Sequence, residues 1–262
     1  MKLPIYQVDA FTDQLFKGNY AAVVPVSQAI SPELMQQIAT ENNLSETAFI
    51  LKLAEDHYQI RWFSPVTEID FCGHATLAAA FVLFSQTDST ELKFSTLAVG
   101  DLMVSKQKDN WIQMDFPKRL ASAVDAPEAL LTGLSITPTL VLRSAQAYFA
   151  VYDNEQQVKQ LCTVSSELKK LAPYDVVATA AGIDYDFVSR YFWPANGGDE
   201  DPVTGSIHAG LVPYWADRLG KSQLMAYQAS ARGGVLRCEL KSDRVQVSGQ
   251  ARLYLKGEIY LP

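Results

Sequence analysis

The chain has 262 residues, 48% of them hydrophobic and 19% charged, with a net charge of −7. That balance is ordinary for a soluble globular protein and lacks the basic footprint with which a protein neutralises nucleic-acid phosphates. There is no long apolar run and no charged-then-apolar leader, so the expected location is the cytoplasm, with neither membrane nor nucleic acid as a partner.

The N-terminal part reads as strands at about 3–10, 20–26, 47–53 and 57–63. A helix is expected near 32–42, where Ser31-Pro32-Glu33 supplies an N-cap followed by proline at the first helical position. Residues 75–84 are apolar on all sides, as in a helix that is enclosed and has no wet face. VSKQKDNWIQMDF (104–116) and LRCELKSDRVQVSG (236–249) alternate in part with period two around a Lys/Asp/Asn turn, the pattern of a hairpin. Ala, Ser, Asp and Pro interrupt the pattern from 117 to 138, which divides the chain into halves at 1–117 and 118–262, the C-terminal strand being able to cross back into the first. A second helix is expected to open at Gly205 and to be kinked or shortened by Pro213.

The chain also repeats itself. Arg61-Trp62-Phe63-Ser64-Pro65 and Arg190-Tyr191-Phe192-Trp193-Pro194 share one pattern, and each leads through acidic residues to a glycine, Gly73 or Gly205, that opens an apolar stretch. Gly100-Asp101-Leu102 and Gly234-Val235-Leu236 follow those glycines by 27 and 29 residues. The fold class this implies is α+β, a curled and mostly antiparallel sheet around a central buried helix, occurring twice. Two such helices present backbone N–H groups at their positive ends, where carboxylate or phosphate binds readily.

GDEDPVTGSIHAGL (198–211) crowds three acids against the second of these helices. Asp199 and Glu200 read as loop acids that favour the helix dipole, and Asp201 has the same bland reading. Glu46 on an apparent strand, taken alone, reads as a surface residue, and His74 as a helix cap or neighbour contact. Arg61 and Arg190, at matching positions, read as structural.

Together LSETAFI (44–50), FCGHATLAA (71–79), GDEDPVTGSIHAGL, VDAFT with KGN (8–19) and ARGG (231–234) resemble the PhzF-like family, named for a phenazine-biosynthesis isomerase. The resemblance spans nearly the whole chain. It implies the diaminopimelate epimerase-like fold with the active site in the cleft between two halves, and a homodimer as the assembly. It assigns Glu46 as general acid/base, with His74 and Asp201 as its catalytic companions. Gly18, Asn19, Gly73, Ala75, Gly205, Ser206 and His208 become substrate-binding positions. The implied activity is a cofactor-independent isomerase that shifts a proton within a small carboxylate-bearing substrate.

One departure is informative. Diaminopimelate epimerase uses a thiol from each half, whereas DEDPVTGS (199–206) contains none, which removes a two-thiol racemase. Cys72 lies near a helix start, where thiolates are favoured, but free cysteine is more often buried and inert. Cys162 and Cys238 complete an odd number without CxxC spacing, against a disulfide framework or a structural zinc site. No nucleotide fingerprint, Schiff-base lysine or two-histidine metal spacing is present, so no cofactor and no metal is expected. Two other classes compete: a binding protein that keeps the fold with little turnover, and a metal site built from Glu46, His74, Asp201 and His208.

Overall fold

The computed structural model describes residues 1–261. In chain order the elements are β1 (Lys2–Ala10), β2 (Asn19–Val26), α1 (Pro32–Asn42), β3 (Glu46–Ala54), β4 (His57–Phe63), β5 (Glu68–Ile69), α2 (Gly73–Phe84), β6 (Glu91–Ser95), β7 (Asp101–Lys106) and β8 (Ile112–Pro117). They continue with β9 (Ser122–Ala123), α3 (Glu128–Gly133), β10 (Leu140–Arg143), β11 (Ala147–Val151), α4 (Glu155–Gln160), α5 (Ser165–Leu168), β12 (Asp175–Ala181), β13 (Phe187–Trp193) and β14 (Gly198–Asp201). The last are α6 (His208–Leu219), β15 (Gln223–Gln228), β16 (Gly234–Leu240), β17 (Arg244–Gly249) and β18 (Ala251–Tyr260). The protein is α+β, and no helix among the described residues is long and apolar enough to cross a membrane. Residues 1–115 with those from 248 on form one compact unit and residues 116–247 another, the chain passing between them within β8 and β17.

In the first unit β1 runs antiparallel to β2 and β18, β2 parallel to β3, β3 antiparallel to β4, and β4 parallel to β6. Helix α2 lies against β1, β2, β3, β7 and β18, and every residue of it except Phe81 is buried. Its N-cap, Cys72, makes no side-chain capping bond, so packing holds this helix; a side chain such as Leu77, fully enclosed, contributes about 2 kcal/mol. Helix α1 covers the opposite face, where Met35, Ile38 and Ala39 pack with Leu3, Val24, Phe49 and Phe63. Ser31 Oγ caps it by accepting the Leu34 N–H at 3.2 Å, and Asn43 ends it in the left-handed conformation.

The second unit repeats the pairing. β10 runs antiparallel to β11, β11 parallel to β12, β12 antiparallel to β13, and β13 parallel to β15. Helix α6 packs on β15 and β16, its Trp215 Nε1 donating to Thr179 Oγ1 of β12 at 2.9 Å and its indole stacked on Phe187 of β13. On the other face Leu130, Val158 and Leu168, from α3, α4 and α5, cluster with Val141, Tyr148 and Phe192.

The second helix differs from expectation in two ways. It begins at His208, because Gly205, Ser206 and Ile207 form turns in which the N–H groups of His208, Ala209 and Gly210 bond to the carbonyl three residues back. Pro213 does not shorten it, and it runs on to Leu219. The carbonyl of Ala209, which a residue with an N–H at 213 would have bonded, accepts instead from the Arg119 N–H at 3.0 Å. Gly210 permits that approach, since a Cβ there would sit 2.7 Å from Phe149 Cζ and 3.0 Å from Arg119 O.

Register makes the repeat explicit. Phe63 pairs with Glu68 and Phe192 with Glu200, and five residues on come Gly73 and Gly205. Arg61 binds Glu68 through Nε and Nη2 at 2.7 and 2.8 Å, and Arg190 binds Glu200 through the same atoms at 2.8 Å each. Glu200 is therefore an ion-pair partner rather than a loop acid, and both arginines are structural. Phe94 pairs with Leu102 and Ala226 with Leu236, which aligns Gly100 with Gly234.

Candidate active site

Strand alternation turns Glu46, at the first position of β3, to the inner face of the sheet, while Phe49 faces the outer cluster. His74, the second residue of α2, meets it there. His74 Nε2 lies 2.7 Å from Glu46 Oε2, and both side chains are less than a tenth exposed. The 2.7 Å contact pairs the Glu46 carboxylate with the imidazole inside the enclosed site, close enough for a proton to be shared between them.

Asn19, fully buried at the start of β2, reaches the other side of the ring, with Nδ2 3.1 Å from His74 Nδ1 and Oδ1 accepting from Ser45 Oγ at 3.3 Å. A neutral imidazole accepts from this amide; a charged one needs the amide turned so that its oxygen faces Nδ1, and the Ser45 hydroxyl serves either orientation. Burial opposes charge on His74, but the Glu46 carboxylate paired with it favours the charged ring, and its pKa is raised above the ordinary value. The preceding Gly18 turns the chain at φ +66°, where any Cβ would collide with the Ala10 carbonyl oxygen.

Cys72 is buried, with Sγ 3.4 Å from His74 Nδ1. Burial, followed by the Glu46 charge, pushes its thiol up to about 11, so the sulfur is protonated and inert near neutrality. Glu46, Cys72 and His74 each bring one potential metal ligand within 4.8 Å of the others; Asp201 and His208 are not in that group.

The remaining predicted residues belong to the second unit. Asp201, at the end of β14, accepts from the Thr204 hydroxyl through Oδ2, and its carbonyl accepts from Gln228 Nε2 at 2.8 Å. Ser206 Oγ accepts from Gln146 Nε2 at 2.9 Å. His208 is fully buried beside Phe187, with Nδ1 2.9 Å from the Thr204 carbonyl oxygen. Desolvation drives its pKa down to about 4, so the ring is neutral and tethers the 204–208 turn through an Nδ1–H donor.

The structure thus brings together Glu46, His74 and Asn19 in one unit, and Asp201, Thr204, Ser206 and His208 on one turn of the other. Sequence reasoning did not single out Asn19 as a partner of the histidine, nor Asp175, Tyr191 and Gln146. The only signal for the last group was Tyr191, a polar aromatic at the repeat position of Trp62.

The chain is similar to proteins of one family. The family model for phenazine biosynthesis-like proteins, PhzC-PhzF, matches residues 8–257. An uncharacterized isomerase of Pseudomonas aeruginosa is 46% identical over 100% of both chains, and another of Halalkalibacterium halodurans is 43% identical, also over 100% of both. The crystal structure of a PhzF-family protein of Enterococcus faecalis matches with a TM-score of 0.95 and 43% identity, covering 100% of each chain. With the family model covering most of its length, the chain belongs to the PhzC-PhzF, phenazine biosynthesis-like family, whose type is that of an isomerase.

Proposed function

We propose that the protein is a cofactor-independent isomerase that moves a proton within a small carboxylate-bearing substrate, with Glu46 as general acid and base. The observation that carries this is the buried pair in which Glu46 Oε2 lies 2.7 Å from His74 Nε2. A carboxylate enclosed beside a ring nitrogen is suited to taking and giving back a proton.

As a carboxylate Glu46 takes the proton from a carbon next to the substrate's conjugated system, the C–H electron pair moving into that system. The protonated Glu46, whose carboxyl proton exchanges with solvent while it is held there, then delivers a proton to a different carbon, so nothing is oxidised or reduced. His74, charged while Glu46 is ionised, orients the carboxylate and limits the cost of burying it. The N–H groups of Gly73 and Ala75 and the turn at Gly205 and Ser206 are assigned to anionic groups, Asp201, which also accepts from Thr204 in that turn, to assisting Glu46, and His208 to tethering the turn. The protein is taken to be a cytoplasmic homodimer, an assembly that light scattering in solution checks.

The test is solvent-deuterium incorporation into a panel of small carboxylates by wild type and Glu46→Gln. Wild type incorporates deuterium into at least one compound, and the variant does so about 1000-fold more slowly. Undiminished exchange in the variant contradicts the base assignment, and no exchange by wild type into any compound favours a binding protein.

A further inference from the structure

The second unit contains a chain of hydrogen bonds that the proton transfer does not use. By register Asp175 occupies the position of Glu46, Tyr191 that of Trp62, Gln146 that of Tyr20 and Ser206 that of His74. Asp175 Oδ1 accepts from Asn196 Nδ2 at 2.7 Å, and Oδ2 accepts from the Tyr191 hydroxyl at 2.5 Å. Gln146 Nε2 lies 3.0 Å from the Tyr191 oxygen and 2.9 Å from Ser206 Oγ.

Counting hydrogens gives this chain a direction. Tyr191 has one O–H, which goes to Asp175, so its oxygen can only accept from Gln146. Burial, followed by the Asp175 charge, keeps the phenol pKa well above its ordinary value, so that O–H persists. Gln146 must then present Nε2 rather than Oε1, and its second hydrogen goes to Ser206 Oγ. The Ser206 hydroxyl hydrogen is left pointing away from Gln146, and no acceptor among the described residues is recorded for it. An amide in the middle passes orientation along the chain but not a proton.

We propose that Asp175, Tyr191 and Gln146 are positioning residues that fix the Ser206 hydroxyl as a donor to a small carboxylate bound at the Gly205-Ser206 turn. The proposal rests on the assignment of that turn to an anionic group of the substrate, and its first test needs no substrate.

Neutron diffraction from deuterated crystals reads the Ser206 deuteron directly. In wild type it points away from Gln146; in Gln146→Glu, where position 146 can only accept, it points toward the new carboxylate. A wild-type deuteron directed at Gln146 overturns the proposal whether or not Glu46 transfers a proton. The second test titrates benzoate while following the amide resonances of Gly205 and Ser206. Tyr191→Phe and Gln146→Met weaken binding about tenfold, and Gln146→Met has no further effect in a Ser206→Ala background. Wild-type affinity in both single variants, equal losses with and without Ser206, or no benzoate binding by wild type overturns the positioning role. Benzoate binding that follows these variants without any deuterium exchange leaves the positioning intact and removes only the isomerase.

Discussion

The two units use the same strand order, the same parallel pairs and the same arginine–glutamate clamp, yet they place different chemistry at matching positions. In the first, Glu46 and His74 form an enclosed pair, 2.7 Å apart. In the second, both oxygens of Asp175 accept, and the connection runs outward through Tyr191 and Gln146 to Ser206. The first carboxylate faces an imidazole with which a proton can be shared, whereas the second is engaged by an amide and a phenol that it holds in place. On the proposed function, the duplicated scaffold separates proton transfer from ligand orientation.

The variant that breaks this contrast most severely is Glu46→Gln, expected to lower exchange about 1000-fold while leaving the thermal midpoint within a few degrees. Next comes Gly210→Ala, where the new Cβ meets Phe149 and Arg119 O; the expected cost is about 2 kcal/mol by urea denaturation. Its counterpart in α2 is Ala78, and Ala78→Gly costs about 1 kcal/mol, from helix propensity and a lost methyl. The clamps are a subtler comparison. Arg190 also donates to the carbonyls of Val158 and Leu161, so Arg190→Gln is expected to cost about 2 kcal/mol and Arg61→Gln about 1 kcal/mol, the order being what urea denaturation checks.

The two buried histidines should titrate in opposite directions, which NMR of the imidazole Cε1 protons reads. The folded pKa of His74 is raised, so its contribution to stability is complete below the ordinary histidine pKa of about 6.5 and is lost as pH rises through the higher folded value. His208 is depressed to about 4, so its contribution is complete above the ordinary value and is lost as pH falls toward the folded one. His74 still charged at neutral pH and His208 still neutral at mildly acid pH is the expected spectrum. The smallest effect concerns thiols: iodoacetamide on the native protein should label exposed Cys162 and spare Cys72 and Cys238, whose pKa values burial raises.

Much of this was legible in the residues. An unbroken apolar run located α2 to within two residues, and the repeated Arg-aromatic-Phe pattern led to two glycines that register places at matching positions. The start of α6 was misplaced because a glycine opens a turn as readily as a helix, and three-residue turns leave no periodic signature. The Pro213 accommodation depends on a backbone N–H from Arg119, ninety residues away, and no local pattern announces such a partner. Asp175 and Gln146 were invisible for a related reason. They meet through the parallel pairing of β11 with β12, whose register is fixed by tertiary packing rather than by a turn.

The division of labour is tested most directly by measuring deuterium incorporation in Glu46→Gln and Tyr191→Phe side by side, on whichever carboxylate the wild type exchanges. Glu46→Gln should lose about 1000-fold in turnover at saturating substrate, and Tyr191→Phe should keep that turnover within about tenfold while its half-saturating concentration rises. Loss of saturated turnover in Tyr191→Phe with Glu46→Gln still active would contradict the account.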